Sequence, residues 1–127
     1  MKRAIKAEGA PAAIGPYVQG TAAGRFLFTA GQIALEPKTG ELAGDDAAAQ
    51  ARQVMANLSA VLEAGGVAWK DVVKTEIYLV DLADFAAVND VYAEFVGGEP
   101  PARVTVQVAA LPKGALVEVA AVAYLGE

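Results

Sequence analysis

The sequence predicts an α+β fold: one mixed β-sheet with two helices on a single face. Three observations predict it. Candidate elements run in the order strands, helix, strand, helix, two strands. Two segments carry apolar residues at helical spacing. The last strand is apolar on both faces, with Val117, Val119, Ala121 and Ala123 on one and Leu116, Ala120, Val122 and Tyr124 on the other. Two helices cover only one face of a sheet. The other face is therefore expected to be buried by a second copy of the chain.

Residues 17–21 and 25–30 form the first strand candidates, joined near Ala23-Gly24. Phe26 and Phe28 alternate with Leu27 and Thr29, so both faces of the second strand are expected to be covered. Pro37 and Gly40 make 36–41 a turn, with room for another short strand beside it. Asp45 or Asp46 can cap a helix reaching about Ala64, on which Val54, Leu58, Val61 and Leu62 share one face. Gly65-Gly66 stops that helix. Residues 72–80 are rich in β-branched and aromatic side chains and read as a strand. Asp84 can cap a second helix with Phe85, Val88, Tyr92 and Phe95 as its inner face. After the breaker 97–101 come two strands, separated by Leu111-Pro112-Lys113-Gly114.

The chain is 127 residues long and fits one domain. Its hydrophobic fraction of 55% is high, and Ala supplies much of the excess. No run is long and apolar enough to span a bilayer. The N-terminus starts basic, but Lys6 and Glu8 interrupt what would be the apolar core of a signal peptide. The absence of Cys fits an intracellular, cytoplasmic protein. Net charge is −5, which argues against a nucleic-acid face and against recruitment to anionic lipid. Asn57-Leu58-Ser59 matches a glycosylation pattern but falls inside the first helix, where chance explains it better.

With no His and no Cys, chemistry must come from carboxylate, guanidinium, hydroxyl and backbone groups. Arg103 opens an apolar run, and Glu118 lies inside another. Charges in such runs are costly unless paired or hydrogen-bonded. Arg103 is suited to bidentate capture of a carboxylate, or to a structural ion pair at a strand end. Glu118 is suited to activating a water. Otherwise it pairs with Lys74 or Arg103, or faces solvent on an edge strand. A tight hairpin at Lys113-Gly114 would set Arg103 and Glu118 roughly 20 Å apart. A small substrate could not then touch both, so either the two strands are not partners or the site spans subunits. Tyr17 reads as strand-edge packing, Gly31 as a strand end, Asn89 as a polar surface residue and Trp69 as packing. Asp45-Asp46 is better explained by capping than by a metal. A Ser-His-Asp triad is impossible without His.

Several stretches together resemble the RidA (YjgF-like) family over essentially the whole chain. They are 10–17 (APAAIGPY), Ala30-Gly31-Gln32-Ile33, Asp81-Leu82-Ala83-Asp84-Phe85 with Val88-Asn89, Pro101-Ala102-Arg103, and Leu111-Pro112 with Val117-Glu118-Val119. The resemblance implies a chorismate-mutase-like fold in a homotrimer, with sheets inside and a site in each cleft between subunits. It also implies that the last two strands are not neighbours. The implied activity is hydrolysis of enamine and imine acids, such as 2-aminoacrylate with 2-iminopropanoate, and 2-iminobutanoate, to 2-oxo acids and ammonia. Such substrates leave pyridoxal-phosphate dehydratases. By similarity, Arg103 clamps the carboxylate and Glu118 places and activates water. Backbone groups of Gly31 and Thr105 contact the substrate, while Tyr17, Phe85 and Asn89 line or close the cleft. No metal or cofactor is implied. The chain departs from the commoner pattern at Ala30 (often Ser), Thr105 (several have Cys) and Ala34 (often Pro). The competing expectations are a non-catalytic trimeric binder or regulator of small ligands, and a holdase or ribonuclease. Acidity and the lack of His weigh against the ribonuclease.

Overall fold

The computed structural model describes residues 1–126. Six strands form one mixed sheet: β1 (Lys2–Ile5), β2 (Gly20–Ala23), β3 (Phe26–Thr29), β4 (Val72–Leu79), β5 (Ala102–Gln107) and β6 (Val117–Tyr124). Helices α1 (Ala47–Ala64) and α2 (Phe85–Val96) pack on one face. The spatial order is β1-β2-β3-β6-β4-β5, and only β4 and β5 run parallel.

This order removes the hairpin between the last two strands. After β5 the chain crosses over the end of β4. Val108 N donates to Leu79 O at 2.8 Å on one side, and Val80 N donates to Leu116 O at 3.2 Å on the other. Pro112 opens the short turn Pro112–Gly114, in which Lys113 takes φ 58°. The connection is thus built to step across a strand, and β6 becomes central rather than an edge.

The first helix follows the sequence closely. Asp46 caps it by accepting from Ala49 N at 2.8 Å. Val54, Leu58, Val61 and Leu62 are all buried to 1% exposure or less. They pack with Leu27, Ile77, Val117, Val119 and Ala123 of the sheet. Gly65 ends the helix where a Cβ would collide with the Leu27 side chain, and Gly66 follows at φ 84°. Leu58→Ala should destabilise the protein by about 3 kcal/mol, since a wholly buried leucine leaves a cavity. Urea unfolding reads that loss directly.

Three local expectations need correction. The segment 17–21 is a strand only from Gly20, because Gln19 is drawn into side-chain bonds with the N-terminal segment. Asp84 precedes α2 but makes no cap bond. The chain first turns through Leu82–Asp84, and Asp81 caps that turn by accepting from Ala83 N at 2.9 Å. Phe85 lies on the same side of α2 as Tyr92 but is not buried with it and Val88; it stands 41% exposed at the helix start. One strand had no sequence expectation. In β1 only Ile5 is buried, and Lys2 and Arg3 read as a solvated end. Such charges are typical of an edge strand.

The face away from the helices is open. Alternation in β6 buries Val117, Val119, Ala121 and Ala123 and leaves Glu118, Ala120, Val122 and Tyr124 on that face. Phe26, Phe28, Val104 and Val106 lie exposed there too, so within one chain only one side of β3 is covered. No described helix is long and apolar enough to cross a membrane.

Candidate functional site

The sequence-predicted residues fall into two groups on opposite faces of the sheet. Arg103 sits opposite Thr75 of β4, and Glu118 sits opposite Tyr78. Thr75 is wholly buried on the helix side, whereas Tyr78 alternates to the open side. Arg103 and Glu118 are thus two strands apart and three residues out of step, or about 14 Å between backbones. Within one chain they point away from each other.

The first group is gripped by α2. Phe85, Asn89 and Tyr92 follow one another at spacings of four and three, so they share a helix face above β5. Asn89 Oδ1 accepts from Arg103 Nη1 at 2.6 Å. The guanidinium carbon lies 5.3 Å from the Phe85 ring centre and 5.0 Å from that of Tyr92. Both contacts are within cation–π range. Arg103 has no ion-pair partner among the described residues, so the structural ion pair is not found there. Asn89 is accordingly a ligand of the arginine and not a plain surface residue.

Thr105 lies two residues along β5, beside a crevice lined by Ile77, Leu79, Phe85, Val88, Asn89 and Arg103, with no room for a water molecule. The Thr105 hydroxyl is buried there without a hydrogen-bond partner. A buried unpaired hydroxyl is costly, and such atoms in native folds ask for a reason.

The second group surrounds Glu118. Phe28 faces Val122, but Gln32 faces Val119. Four steps on one side match three on the other, so the chain carries an extra residue between them. This bulge lays Gly31 against Glu118. A Cβ on Gly31 would strike the Glu118 carboxylate, with the carboxyl carbon 2.8 Å away. Gln32 N donates to Val119 O at 2.9 Å, and Val119 N donates to Gln32 O at 3.1 Å, which pins the bulge in place. Burial pushes the Glu118 carboxyl above the usual carboxylate range. No bond joins it to Lys74 or Arg103, and β6 is not an edge strand. Pairing to Lys74 or Arg103 is therefore excluded, while the solvent-facing reading holds only in part: Glu118 is half-buried on the open face of a central strand. Across the ladder, burial and the neighbouring Glu76 and Glu118 charges push the Tyr78 hydroxyl up.

Tyr17 belongs with the second group through its loop. It is 54% exposed and lines a groove of about 640 Å³ with residues of the segment 5–13. Two residues on, Gln19 O accepts from Ala30 N at 2.9 Å, tying this loop to the Gly31 bulge. Tyr17 is not the strand-edge packing residue its sequence position suggests.

Sequence reasoning missed the supports. Gln19 is buried; its Oε1 accepts from Ala7 N at 2.6 Å, and its Nε2 donates to Pro11 O at 2.7 Å. Asn57 is buried, and its Nδ2 donates to Ile33 O at 3.2 Å and Leu35 O at 3.0 Å, fixing the loop after the bulge. Its burial inside α1 agrees with reading the glycosylation pattern as chance. The available signal was a polar residue on an otherwise apolar helix stripe.

Comparison with known proteins agrees with this architecture. Residues 7–125 match the family model described as Endoribonuclease L-PSP. The chain is 52% identical over 124 residues to a RutC family protein of Pyrococcus horikoshii, covering 98% of each. It is 48% identical to a protein of Escherichia coli K12 named 2-iminobutanoate/2-iminopropanoate deaminase, covering 97% of this chain and 98% of that one. The crystal structure of RidA from the Antarctic bacterium Psychrobacter sp. PAMC 21119 superposes with a TM-score of 0.92 at 43% identity, over 96% of this chain and 98% of that one. A family match across nearly the whole chain, a shared fold and high identity leave one placement: the chain belongs to the RidA (YjgF-like) family.

Proposed function

We propose that this protein is a deaminase that hydrolyses enamine and imine acids to 2-oxo acids and ammonia. Its substrates are 2-aminoacrylate with 2-iminopropanoate, and 2-iminobutanoate. The observation that carries the reading is Arg103: a guanidinium oriented by an amide and two rings, yet lacking any carboxylate partner among the described residues. Such an arginine is prepared for a small carboxylate from outside the chain.

In this reading the site is completed between subunits of a homotrimer. Arg103, Asn89, Phe85 and Thr105 come from one protomer, and Glu118, Gly31 and Tyr17 from its neighbour. Two observations favour that assembly: the opposite orientation of the two groups and the exposed apolar face that holds Glu118. The substrate carboxylate binds Arg103. A water held by Glu118 forms the C–O bond to the carbon of the protonated imine as its proton passes to Glu118; the C=N π pair moves onto nitrogen, giving a neutral carbinolamine. Glu118 returns the proton to nitrogen and the C–N bond breaks. Ammonia leaves with the bonding pair, and the hydroxyl proton is lost to solvent as the 2-oxo acid forms. The imine carbon is already electrophilic, so position and one oriented water suffice without a metal or cofactor.

A cytoplasmic role beside pyridoxal-phosphate dehydratases follows, because those reactions release such intermediates. The family description as an endoribonuclease finds little support in this chain, whose net charge is −5 and which has no His.

The test couples a threonine dehydratase to this protein and follows 2-oxobutanoate with and without it. Faster release is expected. No acceleration would favour a non-catalytic small-ligand binder. The bulge supplies a finer check. Gly31 does not take a left-handed φ, so Gly31→Ala is opposed chiefly by the Glu118 carboxylate. The variant should keep its melting temperature while displaced Glu118 lowers the acceleration about 10²-fold.

A further inference from the structure

The helix that grips Arg103 is itself anchored from below. Thr75 is 0% exposed at the centre of β4 and stands directly opposite Arg103 in the β4–β5 ladder. A buried hydroxyl in such an apolar setting needs a partner. Its partner is the Tyr92 hydroxyl, 2.7 Å away, and Tyr92 is itself only 5% exposed. The Tyr92 ring is therefore held at both ends, by α2 at its Cβ and by Thr75 at its tip. Its face is the one that backs the guanidinium at 5.0 Å. Burial pushes the Tyr92 hydroxyl up, which keeps it protonated and able to bond. Phe85, on the same guanidinium, is exposed and has no comparable tether.

We infer that Thr75 and Tyr92 are a positioning pair for Arg103: their hydroxyl–hydroxyl bond fixes the ring that orients the guanidinium toward a ligand carboxylate. The pair touches no substrate. The inference rests on reading Arg103 as the carboxylate clamp. The bond also explains why a threonine sits among apolar neighbours in a central strand. Packing alone would be served by valine, which has the same shape.

The test uses Tyr92→Phe, Thr75→Val and the double variant in the full chain, with three readouts. Melting temperature reports stability. Calorimetric titration with 2-oxobutanoate reports carboxylate binding. The Arg103 Nε–H resonance, assigned by its loss in Arg103→Lys, reports order at the guanidinium through its exchange with water. Each single variant leaves one buried hydroxyl unpaired and should lower the melting temperature. The double variant removes both hydroxyls and should recover most of that loss. Binding should not recover: all three variants should bind 2-oxobutanoate about fivefold more weakly, the equivalent of one hydrogen bond. Arg103 Nε–H exchange should be faster in all three.

A double variant that regains wild-type affinity together with stability would make the pair merely structural and overturn the inference. Unchanged Nε–H exchange in the single variants would overturn it as well. Failure of the wild type to bind 2-oxobutanoate would count against the deaminase reading, and the exchange measurement would then decide the positioning role by itself.

Discussion

Arg103→Ala should lower the acceleration of imine hydrolysis about 10²- to 10⁴-fold, with most of the loss in substrate capture. Two charge-assisted hydrogen bonds to a carboxylate are worth about 1.5–3 kcal/mol each, and every 1.4 kcal/mol is tenfold. Arg103→Lys keeps the charge but loses the planar fork and the stacking on Phe85 and Tyr92, so it should restore only a small part. Stability should fall by about 1–2 kcal/mol, because Arg103→Ala loses no ion pair among the described residues but does lose the Asn89 bond and the two ring contacts. The measurement is the rate of 2-oxobutanoate formation over the spontaneous background, at several substrate concentrations. A wild-type rate in Arg103→Ala would remove the clamp from the mechanism.

Much of the fold was legible because local signals agreed with one another. Asp46, the stripe from Val54 to Leu62 and Gly65-Gly66 bound α1 from three independent directions. The order of the sheet was not legible from pattern. Val117–Tyr124 alternates whichever strands flank it, and Leu111-Pro112-Lys113-Gly114 reads equally well as a hairpin turn or as a step across β4. Long-range pairing, such as Val80 N to Leu116 O, leaves no mark on short-range composition. Family resemblance supplied that part of the topology.

The candidate site shows the same division. Arg103 and Glu118 stand out in sequence because charge in an apolar run is expensive. Their supports do not. Thr75 looks like an ordinary β-former, Tyr92 like core, and Gln19 like a loop polar residue; only the folded chain joins them to their partners. The bulge at Gly31 is invisible for a further reason. It arises from a mismatch between the registers of two distant segments.

Glu118→Gln should separate binding from chemistry. Glutamine keeps the shape and the fit under Gly31 but cannot take a proton from water. General base catalysis contributes typically 10²–10⁴, so the acceleration should fall by about 10³-fold. Affinity for 2-oxobutanoate should hold or improve, because a negative charge is removed from the vicinity of a carboxylate ligand. The pH profile provides the sign. Burial raises the carboxyl above its ordinary range, so on acidification Glu118 becomes protonated, and unable to act as a base, sooner than a solvated glutamate would. Activity should therefore rise with pH through a midpoint above that of a solvated glutamate. Glu118→Gln should lose that limb altogether and leave only the profile of the spontaneous reaction. A binder that needs only the arginine would show no such limb, and its ligand affinity would survive the substitution with no rate to lose. Full acceleration in Glu118→Gln, with the acid limb intact, would assign the proton transfer to another group. Tyr78, opposite Glu118 in the ladder, is a poor substitute: its hydroxyl donates to Glu76 Oε2 at 3.4 Å, and burial with the Glu76 and Glu118 charges raises it further from acting as a base.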